Sequence, residues 1–323
     1  MNPYIGEIAA LLAAAGFSFT SVCYTFAGRK INAVTSIAMS LPLAWVSMLG
    51  IHYAAQGALF PWQTALDRWL LLGASGILAF VISSYCMLNA YQAIGPRLTM
   101  LIASCAPLLG ALLAWLFLGQ TLPANAALGI AIVTGGVVWV VVERSPRRSP
   151  QRSPQRRDPN HRQSNESDAL SRTQLPHFDL RRGAIFAVLG TLAQALAFVF
   201  SSQGVAGDFP PLSATLIRIT AGIVALWLFI AWQGKLRATA AIFTRDIRLF
   251  WQLTGAAISG PVLAGSLVLL ALQTIPVGIA TTLSHTTAIM LIPVSYFVFK
   301  EQTSLRAVLG TLVALVGIFI LFN

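Results

Sequence analysis

The chain has 323 residues, 56% of them hydrophobic and only 10% charged, with a formal net charge of +11. A water-soluble domain is about 25% charged, so a soluble globular fold is excluded. Three cysteines, Cys23, Cys86 and Cys105, all inside apolar runs, argue against a disulfide framework and for buried packing thiols.

Ten apolar runs follow one another and predict helices over Ile5–Ala27, Val34–Tyr53, Trp69–Ala90, Thr99–Phe117, Ala124–Val142, Gly183–Gly204, Ser213–Trp232, Leu249–Leu272, Ala280–Phe299 and Leu305–Phe322. Each approaches the roughly 20 residues that a bilayer core requires. The runs are apolar on all faces and lack the alternation of a barrel strand. The expected fold class is therefore an all-α polytopic membrane protein with ten transmembrane helices. Tyr53, Trp62, Trp69, Trp232 and Trp251 stand at run ends, where amphipathic rings favour the headgroup level. The first run has no basic n-region and is long enough to span, so no cleavable signal is expected.

Residues 143–182 break the pattern. They repeat Arg-Ser-Pro at 144–146, 148–150 and 152–154 and hold ten of the twenty-one Lys and Arg residues between Arg144 and Arg182. This composition buries too little apolar surface to offset ordering entropy, and it predicts a disordered linker between residues 1–142 and 183–323. It reads as a solvated tether; a phosphorylated Ser-Pro tail or a contact to anionic lipid is the functional alternative. Basic charge beside a membrane marks the cytoplasmic side before it indicates nucleic acid, so no nucleic-acid partner is expected. With ten spans, the odd-numbered connections carry nineteen basic residues and the opposite side only Arg68. The linker is therefore expected in the cytoplasm and both termini outside.

Matched against itself, the chain aligns without gaps at an offset of 181 residues. Ala90, Gln92 and Ile94 fall on Ala271, Gln273 and Ile275, and Leu128, Gly129 and Gly136 fall on Leu309, Gly310 and Gly317. Gln120 falls on Glu301. A five-span unit repeated once must insert its second copy upside down, which predicts two inverted five-helix repeats. Gly129/Gly136 and Gly310/Gly317 recur two turns apart and predict close packing of the fifth and tenth helices.

The stretch from Ala90-Tyr-Gln-Ala-Ile-Gly through Pro107, Gly119-Gln120 and Gly129 to Gly136 resembles the first EamA domain of the drug/metabolite transporter superfamily, and Ala271 to Gly317 resembles the second. Pro107 lies thirteen residues before Gln120, similar to the family's proline-to-glutamate spacing. Phe117-Leu-Gly-Gln-Thr-Leu also resembles the small multidrug resistance proteins. There are departures: Gln120 stands for the first-half glutamate that Glu301 retains, and Ala288 stands for the second proline, with Pro293 five residues on. The resemblance implies cytoplasmic termini, against the charge reading, and a central cavity lined by spans 1, 3, 4, 6, 8 and 9.

Polar groups in hydrocarbon are costly and mark cavities, partners or interfaces. His285 sits amid Thr281, Thr282, Ser284, Thr286 and Thr287, with Ser104 as its counterpart. It reads as a substrate or proton-exchanging group, or equally as a neutral imidazole bonded to a neighbouring helix. Asn89 is a turn before Gln92 on one face; these two, with Gln194 and Gln273, read as cargo ligands or as interhelical glue. Arg218, about one turn and a half into its span, reads first as a cation snorkelling to the interface and second as a partner for an anion. Leu41 is its approximate first-half counterpart. Glu7 lies at headgroup depth, a candidate proton site or a plain interfacial carboxylate. Pro107 and Pro293 free carbonyls toward a cavity or simply kink their helices.

Enzyme chemistry lacks its reagents: there is no His-Glu-x-x-His, nucleophile elbow, phosphate loop or Cys/His metal spacing, and only Glu7 of ten acidic residues lies inside a span. No cofactor or metal is expected. A receptor or scaffold would leave the duplication unexplained. The sequence therefore predicts a secondary transporter of a bacterial-type inner membrane. It is expected to export a small organic metabolite or amino acid by alternating access, with protons as the candidate coupling ion through His285 or Glu7.

Overall fold

The computed structural model describes residues 4–27, 31, 33–143, 180–234, 239, 246–287, 289–290 and 305–321. Among these no strand occurs. In chain order the helices are α1 (Ile5–Ala27), α2 (Ala33–Gln56), α3 (Leu66–Gly95), α4 (Leu98–Leu118), α5 (Ala124–Glu143), α6 (Leu180–Gly204), α7 (Pro211–Trp232), α8 (Ile247–Thr274), α9 (Val277–Ser284) and α10 (Leu305–Leu321). Seven of them, α1 to α4 and α6 to α8, are long and apolar enough to cross a membrane, and α5 and α10 contain shorter apolar helices. Most of the linker, Pro293 and Glu301 lie outside the described residues.

The ends follow local chemistry. α1 occupies the residues its apolar run predicts. α3 continues past the expected Ala90 to Gly95, whose φ of 77° breaks the helix in the left-handed region glycine tolerates. At the matched place in the second half, α8 ends where extended Ile275 precedes Pro276. The run expected at Ala280–Phe299 begins earlier, at Val277, and its first helical piece already stops at Ser284. Gln120, beyond the end of α4, accepts a hydrogen bond from the Val277 amide at 3.1 Å, satisfying a free donor at the start of α9.

Irregularities recur at the 181-residue offset. α3 contains a π-helical segment at Leu78–Ser83 and α8 one at Ile258–Ala264. α4 is interrupted by a turn at Ser104 and Cys105, and the segment after α9 turns at His285 and Thr286. Neighbour relations repeat as well: α1 packs on α8 and α9 as α6 packs on α3 and α4, while α2 meets α7, α4 meets α9 and α5 meets α10. Exchanging the two halves leaves this set of pairs unchanged.

Small residues make these approaches possible. α1 presents Gly6, Ala9, Ala10, Ala13 and Ala14 as a buried stripe. A Cβ on Gly16 would lie 2.9 Å from the Ser259 carbonyl. On the mirror-related pair, a Cβ on Gly190 would meet Cys86 at 3.1 Å. Lipid tails are as apolar as the side chains, so close van der Waals fit and interhelical hydrogen bonds take over the role that water exclusion has in soluble cores. Buried His52 ties α2 to α7, through Ser213 Oγ at 2.9 Å from its Nε2, while its Nδ1 donates to the Ala58 carbonyl at 2.6 Å. Trp62, Trp232 and Trp251 all point outward, as rings at a membrane interface do.

α5 and α10 pack through the glycines that recur in the sequence. A Cβ on Gly136 would come within 2.8 Å of the Gly310 carbonyl, and one on Gly317 within 2.7 Å of the Val133 amide. Gly136→Ala is therefore expected to force the helices apart and cost about 1–3 kcal/mol of overpacking, read as a lower thermal midpoint in detergent. Gly135→Ala, whose Cβ meets nothing within 4 Å, is the control; equal midpoints for the two variants would refute this packing.

Candidate functional site

A cavity of about 220 Å³ lies between the halves. α1 contributes Phe17, Thr20 and Tyr24; α2 contributes Ile37 and Leu41; α3 contributes Ala79, Phe80 and Ser84. From the second half come Gln194 and Phe198 of α6, Thr215, Arg218 and Ile219 of α7, and Gly260, Pro261, Gly265 and Val268 of α8. Five pairs of these residues are 181 positions apart: Phe17 and Phe198, Ile37 and Arg218, Ala79 and Gly260, Phe80 and Pro261, Ser84 and Gly265. The hollow is thus framed by equivalent positions of the two halves. Spans 4 and 9, expected in the lining, supply none of the described lining residues, whereas spans 2 and 7 do.

Both π-helical segments border the cavity. A π turn replaces the i→i−4 hydrogen bond by one from a residue further on and leaves carbonyls less well satisfied. Ser84 Oγ donates to the Ala79 carbonyl at 3.3 Å across the first segment. In the second, Pro261 has no amide hydrogen to give. Irregular backbone at membrane depth is tolerated where it is covered by protein or faces a cavity, and these two segments meet that condition.

The hydroxyls of the wall are anchored from behind. Tyr24 Oη pairs with Ser40 Oγ at 2.6 Å, Thr20 Oγ1 with Ser259 Oγ at 2.8 Å, and Thr215 Oγ1 with Ser266 Oγ at 2.9 Å. Each bond joins two helices and holds a polar rim in place. Arg218 differs from all of them. Its side chain is only 7% exposed, its Nε has no hydrogen-bond partner, and it lines the hollow. No described lining residue carries a carboxylate. The snorkelling geometry that its place near the end of the span predicts is not adopted: the side chain is buried and borders the hollow. A Cβ on Gly76 would collide with the Arg218 carbonyl, so the two backbones touch at this level. The position matched to Arg218 is Ile37 rather than Leu41, and both of those first-half residues face the hollow.

The other residues singled out by sequence are dispersed. Gln194 reaches the cavity. Asn89 Nδ2 instead donates to the Tyr85 carbonyl of its own helix at 2.8 Å, and Gln92 faces outward. Gln273 Nε2 donates to the carbonyls of Gly207 and of Phe209, the latter at 3.2 Å, joining α8 to the α6–α7 connection. Ser104 Oγ donates to the Met100 carbonyl at 2.8 Å. Pro107 follows the turn at the start of a helical piece, where a missing amide hydrogen costs nothing. His285 lies one layer behind the wall: its ring meets Phe198 edge-on at 6.3 Å, and its Nε2 is buried without a partner. Glu7 Oε2 is also buried without a partner, away from the cavity at the start of α1.

The sequence reading did not single out Phe17, Thr20, Tyr24, Phe80, Ser84, Thr215 or Pro261 as site residues. Two signals were present: a proline inside an apolar run, and phenylalanines at matched positions 17 and 198. Thr20, Ser84 and Thr215 carried no signal, because a serine or threonine hydroxyl can bond its own helix; Thr20, for instance, also donates to the Gly16 carbonyl at 2.9 Å.

The model of the EamA-like transporter family matches residues 4–142 and 181–323. A solved crystal structure superposes with a TM-score of 0.68 at 14% identity, covering 98% of this chain and 95% of that one, which is a likeness of fold. No curated protein matches the chain.

If the hollow is reached by water, a cysteine at Ser84 in a background lacking Cys23, Cys86 and Cys105 will react readily with a small aqueous thiol reagent. A cysteine at Thr281, fully buried in α9, will react far more slowly. Equal rates at the two positions would mean that the cavity is sealed.

Proposed function

The chain belongs to the EamA-like transporter family, and within that class of membrane transporters we propose that it exports a small organic solute by alternating access. The carrying observation is the cavity framed by matched pairs from the two halves, Phe17 with Phe198 and Ser84 with Gly265 among them. Two similar bundles, residues 1–142 and 183–323, rock against each other about this hollow and open it to either face in turn. An odd number of spans in each bundle sets the second upside down relative to the first, giving ten crossings in all. Recurrence of the π-helical segments and the turns at one offset supports this, since both bundles then carry the same hinge points.

The solute meets Gln194 and Arg218 directly, while Gln273 ties α8 to the α6–α7 connection and Asn89, Gln92, Ser104 and Pro107 stand outside the lining. The chain contains no phosphate-cradling loop, so an ion gradient supplies the energy. Protons are the candidate ion, with His285 behind Phe198 and Glu7 at the end of α1 as the groups that would exchange them. Residues 143–182 lie in the cytoplasm of a bacterial-type cell and both termini outside the inner membrane, following the basic bias of the odd-numbered connections.

Gly265 offers a way to close the site without disturbing its walls. A Cβ there would sit 3.6 Å from the Gly260 carbonyl and 4.0 Å from Thr215, both ordinary contacts. Gly265→Phe is expected to fill the hollow and slow solute flux in proteoliposomes by about tenfold or more, some 1.4 kcal/mol on the barrier, with Gly265→Ala close to the parent. Flux that survives the Phe variant in folded protein would place the path elsewhere.

The orientation is tested by single cysteines at each terminus in intact cells. Labelling by a membrane-impermeant thiol reagent is expected at both ends, and protection of both would reverse the assignment.

A further inference from the structure

We propose that the solute is a small monoanion, a carboxylate borne on an apolar or aromatic body, with Arg218 as its counter-charge. This deepens the transport reading above and rests on it for the word solute, but the binding chemistry stands on its own geometry. Arg218 is a buried cation whose Nε has no partner, and it borders a hollow rather than a protein surface. An intramembrane charge is stable only when a partner or water compensates it. The neighbouring hydroxyls of Tyr24, Thr20 and Thr215 pair with Ser40, Ser259 and Ser266, and none of them bonds the Arg218 Nε. The guanidinium fork therefore has donors to offer, in the planar arrangement that takes a carboxylate through two parallel hydrogen bonds.

The rest of the wall narrows the choice. Phe17, Phe80 and Phe198 supply apolar, aromatic wall, and about 220 Å³ is less than the few hundred Å³ of drug-sized pockets. Arg218 is the only charged residue among the described lining residues, and its matched position is the aliphatic Ile37. One positive charge without a mirror partner suits a single negative charge and leaves a phosphate dianion under-neutralised. With no carboxylate in that lining, an ammonium group would sit beside a fixed cation with nothing to pair with. The site therefore selects organic acids over amines, and over amino acids, which bring both charges.

Phenylacetate, phenylacetamide, phenethylamine and L-phenylalanine share one aromatic body and differ in charge. Their binding to the purified full-length protein in lipid nanodiscs, measured calorimetrically, is expected to place phenylacetate about tenfold or more ahead of the other three. Arg218→Gln should remove that preference and Arg218→Lys retain part of it. Should the variants fail to fold, the four-probe comparison on the parent protein decides alone. Equal affinities, a preference for the amine or amino acid, or absence of binding by all four probes overturns the proposal. Flux in proteoliposomes separates the two readings: selective phenylacetate binding without flux upholds the anion site and removes the transport reading. Flux of neutral or cationic probes with no advantage for the acid does the reverse.

Discussion

A hydrocarbon surrounding offers no hydrogen bonds to a peptide group, and that absence governs the architecture of this chain. The described spans are built from helices, so that most amides and carbonyls are satisfied within their own segment. Two departures from regular helix, Leu78–Ser83 and Ile258–Ala264, border the internal hollow, while the turns at Ser104–Cys105 and His285–Thr286 stand outside its described lining. At these two segments the irregular backbone faces a cavity, as that constraint allows.

Packing follows from the same solvent. Without water to exclude, helices associate by fitting closely, and single interhelical hydrogen bonds add only about 0.6–2 kcal/mol each. The glycine contacts of α5 with α10, and the small faces of α1 on α8 and of α6 on α3, bring backbones near enough for many dispersion contacts to add up. The hydroxyl pairs between α1 and α8, α1 and α2, and α7 and α8 then set rotational register more than strength. Arg218 Nε faces the hollow's side of this arrangement with no hydrogen-bond partner.

Duplication built the frame and divergence gave it polarity. Phe17 and Phe198 stay alike across the two halves, while Ile37 and Arg218 do not, so a nearly symmetric hollow carries an asymmetric charge. Gln120 and Glu301 show the same divergence at a joint; Gln120 closes the start of α9 through the Val277 amide.

The solvent, the helices and the close α5–α10 contact are legible in the sequence, since apolar run length, glycine spacing and outward tryptophans are properties of a residue and its near neighbours. The direction of each polar side chain is not. Gln194 and Gln273 are the same residue type in similar surroundings, yet one reaches the cavity and the other binds the α6–α7 connection. Asn89 and Gln92 share a face as their spacing requires, but that face does not border the hollow. Arg218 reads as an interfacial cation, yet it is buried and borders the hollow. Local sequence determined that this chain lies in a membrane as helices. Which of its polar groups meet in the hollow was decided by tertiary structure, because the facing helices belong to the other half, well over a hundred residues away in the chain.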